Sequence, residues 1–238
     1  SKRPLSDFSN EWKPLPQKMV EVPKTKPATE APEGMVLIPK HKFWFKVSGI
    51  EVEGFDEPGV DVQYPWETIP RRHHDKQFEI NDFYIDKYPV TNADFKKFID
   101  ATKYHPKDDH NFLKDWKNGR YPEGWAKKPV TWVSLEDARE YAKWAGKRLP
   151  HEWEWQYAAQ GKDGRAYPWG TASDSSAVPP FEETSRIMSP PADVDAHPKG
   201  ASPFGVMDMV GNIWHWTDEF QDEHTRAAIV RGGGHYRP

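Results

Sequence analysis

The chain has 238 residues, enough for one large domain or two small ones. Hydrophobic residues make up 36% while aromatics reach 14%, with 12 Trp, which argues against a disordered chain and for a core built from large rings. A net charge of −4 with no basic stripe excludes a nucleic-acid partner, no apolar run approaches the roughly 20 residues that span a bilayer, and the lack of Cys excludes disulfides, zinc–thiolate sites and thiol catalysis within these residues.

Residues 1–33 hold six prolines and balanced charges and read as an extended tail or linker. The domain proper is expected to occupy 34–238, opening on a short buried strand at Met35-Val36-Leu37-Ile38-Pro39, with Phe43-Trp44-Phe45-Lys46-Val47 as the next strand. Residues 48–75, rich in Gly, Pro and acid, read as a long loop. Phe78-Glu79-Ile80 and Phe83-Tyr84-Ile85 read as strand pieces around an Asn81-Asp82 turn. Three helices follow. Thr91 caps the first, with Asp94 three residues on, and Phe95, Phe98, Ile99 and Thr102 share one face. Ser134 and Asp137 repeat that signature for the second, whose apolar face is Leu135, Ala138, Tyr141, Ala142 and Ala145, with Gly146 as its left-handed stop. The third is expected to begin near Pro150 and run to Gly161. Residues 103–131 lie between the first two helices as a loop. Beyond 161 come a Tyr167-Pro168-Trp169-Gly170 turn, a loop over 171–203, a short segment ending in Trp214-His215-Trp216, and a strand at Ile229-Val230-Arg231 stopped by Gly232-Gly233-Gly234. No internal repeat is visible.

Several of these blocks, in order, resemble one family. They are Met35 to Pro39, Phe83 to Asn92, Pro129 to Ser134, Arg148 to Ala159, Tyr167 to Gly170, Gly205 to Trp216, and Arg231-Gly232-Gly233. The chain is identified on them as a member of the formylglycine-generating enzyme, or sulfatase-modifying-factor, family over about residues 34–238. The resemblance implies an α+β, C-type-lectin-like fold with a small twisted antiparallel sheet, two to three helices and much loop. It also implies a domain that continues beyond the arginine–glycine–glycine block, so Pro238 is expected to fall inside it.

The family's oxidase turns a sulfatase cysteine into formylglycine with oxygen and copper held by two cysteines. The resemblance places the first of these at Arg237, three positions after Gly234, and a guanidinium cannot ligate copper. No catalytic residue is therefore assigned. The implied calcium positions are Asp208, Gly211, Ile213 and His215; since His215 replaces an acidic ligand, that site is expected to be weakened or absent. By the same analogy Trp214, His215, Arg231, His235, Tyr236 and Arg237 fall near a cleft suited to a sugar or peptide. Of the two tryptophans, Trp216 is read as core. His151-Glu152 begins like the zinc-protease helix, but Trp155 stands where the second His belongs, so it reads as an acidic helix start. His73, His74 and Asp75, and likewise His105, Asp108, Asp109 and His110, read as solvated loop polarity.

The expectation is a non-oxidase binding domain for glycan or protein, on an exported bacterial protein at the periplasm or cell surface. Two alternatives stand beside it: a formylglycine-generating oxidase whose cysteines lie elsewhere, and a metal-dependent enzyme using the His and acid loops.

Overall fold

The computed structural model describes residues 18–19, 21–51, 59–180, 190–217, 220–221 and 228–234. Its helices form where side chains supply the backbone partners that helix ends lack. Helix α1 (Asn92–Thr102) starts where the Thr91 hydroxyl accepts from the Asp94 N–H, and it ends as Lys103 turns left-handed. Helix α2 (Leu135–Trp144) carries the reciprocal version, with the Ser134 N–H donating to Asp137 Oδ2 at 2.7 Å and the Asp137 N–H to Ser134 Oγ. Gly146 follows it at φ +70°, as the sequence predicts. Helix α3 spans Glu152–Gln160, two residues later than Pro150 suggests. The reason is Glu154, whose Oε2 accepts from the His151 N–H at 2.9 Å and fixes His151 as the cap.

The strands make four antiparallel two-stranded ladders among the described residues. In chain order they are β1 (Lys18–Met19), β2 (Met35–Ile38), β3 (His41–Ser48), β4 (His73–Ile80), β5 (Phe83–Asp86), β6 (His215–Trp216), β7 (Phe220–Gln221) and β8 (Val230–Arg231). The pairs are β1–β7, β2–β5, β3–β4 and β6–β8. The strand pieces on either side of Asn81-Asp82 therefore do not pair with each other; each pairs with an earlier strand. The long loop expected over 48–75 ends early, because β4 begins at His73 and pairs with β3 along its whole length. Its alternation is hidden in the sequence because His74 and Lys76 take inward positions that an apolar residue would usually hold. Lys76 is accommodated by laying its ammonium over Trp66, 4.7 Å from the ring centre.

Two apolar clusters result. In the larger, Phe43, Phe45 and Val47 on the inner face of β3 meet Trp155, Tyr157 and Ala158 of α3. Phe45 is fully buried, which alone stabilises the fold by about 2–3 kcal/mol. The smaller joins Phe95 and Phe98 of α1 to Leu113, Val130 and Tyr141 of α2. The long segment between α1 and α2 is held by Asn92. Its amide donates to Lys128 O (2.9 Å), Trp125 O and Pro129 O, and its oxygen accepts from Trp116 Nε1 (2.9 Å). This is the C-type-lectin-like fold of the sequence reading: three helices, small antiparallel ladders and much loop.

Candidate functional site

The first turns of α3 gather groups from distant parts of the chain. Glu152 and Trp155, three residues apart, lie on one face of the helix. Glu152 is fully buried. Its Oε2 accepts from the Tyr64 hydroxyl at 2.6 Å, and its Oε1 from Arg231 Nη1 at 3.2 Å. Trp155 Nε1 donates to His215 Nδ1 at 2.8 Å. The β6–β8 register sets His215 directly opposite Arg231, so both side chains leave the same face of the ladder and reach the same indole. The Arg231 guanidinium lies 5.3 Å from the Trp155 ring centre.

A second buried pair adjoins this network through Tyr64. His74 Nδ1 lies 2.9 Å from Glu67 Oε1, and the Tyr64 N–H donates to Glu67 Oε2. Tyr64 packs edge-on against His74, with ring centres 4.5 Å apart. His74 thus belongs to a strand and a buried hydrogen-bonded pair, which corrects the solvated-loop reading for His74; His73 and Asp75, in the same strand, are exposed. His105 and Asp109 do lie on the surface, 3.7 Å apart. Among the described residues no three His, Cys, Asp or Glu side chains converge as a metal-binding group. His151-Glu152 does begin a helix as expected, but the acid is buried between Tyr64 and Arg231. Tyr64, Glu67 and the role of Glu152 escape the sequence reading; a Tyr-Pro-Trp-Glu run inside a Pro-rich stretch is the one signal that marks them.

At the implied calcium positions Asp208 supplies the one carboxylate, and His215 stands where the family has an acid. Asp208 adopts φ +55°, is buried, and has an Oδ2 with no hydrogen-bond partner. Burial pushes its carboxyl up to about 7, against an Asn212 hydrogen bond that lowers it and with the Asp195 charge adding to the rise. His215 commits Nδ1 to Trp155, and burial alone holds its imidazole down to about 4. The Ile213 carbonyl faces Gly232: a Cβ there would stand 3.0 Å from it and 3.1 Å from Met209 O. An imidazole at position 215 in place of an acid removes one of the hard oxygens that calcium prefers. Cu(I) is selected by thiolate, and the chain has none.

Trp214, His215, Trp216 and Gly234 line a cavity of about 1290 Å³ together with Trp125, Trp132 and Trp155. Trp214 keeps 37% of its surface exposed. Trp216, read as core, is half-buried and outside both apolar clusters; its indole donates to Val133 O at 3.1 Å, which ties it to the entry of α2. Arg231 turns towards Glu152 instead of lining the cavity. His235, Tyr236 and Arg237 lie outside the described residues.

The sequence profile described as the sulfatase-modifying factor enzyme 1-like domain matches residues 20–238. The chain belongs to this family. The formylglycine-generating enzyme of Mus musculus is 30% identical over 223 residues, covering 74% of this chain and 58% of that protein. The hercynine oxygenase of Mycolicibacterium smegmatis is 30% identical over 193 residues, covering 67% and 42%. The chain thus spans about half the length of the curated relatives it matches. The solved structure of PvdO from Pseudomonas aeruginosa superposes with a TM-score of 0.56 over 86% of this chain and 83% of that one, at 21% identity, which establishes the shared fold alone. Two sulfatase-modifying-factor relatives named for different reactions at equal identity mean that membership of the family does not choose a reaction.

Proposed function

We propose that this chain is a non-oxidase member of the sulfatase-modifying-factor family, a domain that binds a glycan or protein ligand at the cavity beside Trp214. The observation that carries this reading is the pairing of an exposed tryptophan and an aromatic-walled cavity with a sequence that holds no thiol. The oxidase needs sulfur ligands for Cu(I), and the resemblance sets Arg237 at the first of them. What remains suits recognition. Flat indoles stack on the apolar faces of sugar rings or on peptide side chains, and Trp214 offers its ring without unfolding anything. Calcium and copper have no part in this reading, and export to the periplasm or cell surface belongs to it as the setting in which such ligands are met.

The test has two arms on the whole protein. Oxygen uptake is followed with copper and a cysteine-containing sulfatase peptide; none is expected, and aldehyde formation on the peptide would overturn the proposal. Calorimetry against sulfated and neutral oligosaccharides and extended peptides is then repeated with Trp214→Ala. Binding that is lost at least tenfold in the variant supports the site, whereas undiminished binding moves it elsewhere on the surface.

A further inference from the structure

The loop from Asp208 to His215 is the segment where the family resemblance implies a cation, and there His215 replaces an acidic ligand and turns to α3. We infer that the Trp155–His215 hydrogen bond, braced by Arg231 and Glu152, fixes this loop without any metal ion, so the position that would bind calcium through an acidic side chain has become a direct protein–protein contact within the chain.

The contacts of His215 and Arg231 support this. The indole N–H has one possible use, donation, and it is spent on His215 Nδ1 at 2.8 Å. That fixes the imidazole as the tautomer protonated at Nε2, and it turns the ring towards α3. The opposite strand position adds Arg231, which covers the same indole at 5.3 Å and is itself anchored on Glu152 at 3.2 Å. A cation fixes a loop by gathering oxygens from several turns. Here two strand residues and two helix residues do the same by interlocking. Midway along the loop Gly211 donates its N–H to Gly232 O at 2.9 Å, so the turn is tied by backbone to the residue that follows β8 as well.

Thermal unfolding of the intact protein tests the inference. In EDTA and in millimolar CaCl2 the Tm should agree within a degree, and dialysed protein should hold no calcium. Trp155→Phe keeps the ring and removes the donor; His215→Leu keeps the bulk and removes the acceptor. Each should lower Tm by roughly 2–8 °C, as expected for a buried hydrogen bond lost from a chain of this size. Because both variants break the same bond, the double variant should lose no more than the worse single one. Three results would overturn the inference: a saturable rise of Tm with CaCl2 in the unaltered protein, a Trp155→Phe variant as stable as the parent, or losses that simply add. Should His215→Leu fail to fold, the calcium comparison and Trp155→Phe still decide the matter.

Discussion

The most exacting prediction concerns Arg231. The Glu152 carboxylate is fully buried, and Arg231 Nη1 reaches it at 3.2 Å from a side chain only 23% exposed. Arg231→Met keeps most of the length that covers Trp155 and removes the charge. Taking one partner from a buried ion pair costs about 3–5 kcal/mol. The partial exposure of Arg231 and the Tyr64 hydroxyl, still donating at 2.6 Å, put the expected loss near the lower end, about 3 kcal/mol. At roughly 2–4 °C per kcal/mol for a domain of this size, Tm should fall by about 6–12 °C. Glu152→Gln in the same background removes the charge that Arg231 met while retaining a group that Tyr64 can meet. The double variant should therefore lose less than the sum of the two single losses, by about 1–3 kcal/mol. Urea unfolding followed by tryptophan fluorescence measures all four corners of the cycle. An Arg231→Met loss below about 1 kcal/mol, additive with Glu152→Gln, would mean that the pair does not hold β8 to α3 and would refute the reasoning.

Two further outcomes are expected. Asn92→Ala leaves the Trp116 indole and the carbonyls of Lys128 and Pro129 without their partner, so it should destabilise by about 3 kcal/mol and release the 103–131 segment to limited proteolysis first. The second concerns pH. The folded state holds the Asp208 proton up to about 7, above the ordinary 3.8, so rising pH between those values costs stability, about 4 kcal/mol in all. His215 runs the other way: its folded value of about 4 lies below the ordinary 6.5, so its stability is complete above pH 6.5 and falls by about 3 kcal/mol as pH drops to 4. The two largely offset each other in the parent. In Asp208→Asn only the His215 dependence remains; the variant should melt several degrees above the parent at pH 8 and converge with it near pH 4. Equal melting at pH 8 would show that Asp208 is not strained by burial.

The helices were legible because their signals are local. Thr91 with Asp94, and Ser134 with Asp137, are spaced so that a side chain meets the N–H three residues on, and nothing remote interferes. Strand β4 was less legible because its inward face carries His74 and Lys76, whose burial depends on Glu67 and Trp66 in a segment with no regular pattern of its own. The α3 start was missed by two residues for a similar reason, since Pro150 reads as a first helical residue until Glu154 is seen to claim His151. At the site, Trp214 and His215 could be picked out by resemblance, but what they do could not. That His215 faces Trp155, and that Arg231 is spent on Glu152, follow from a register between β6 and β8 and from contacts spanning 60 and 79 residues. No window of sequence contains such a contact.

Among the described residues the ladders are two strands wide, and indole N–H groups act as rivets between segments that no ladder joins: Trp116 to Asn92, Trp155 to His215, Trp216 to Val133. Phenylalanine can fill the same volume but brings no donor. A sequence drifting under selection for bulk alone would therefore keep its cores full while its loops came unfastened at these three tryptophans.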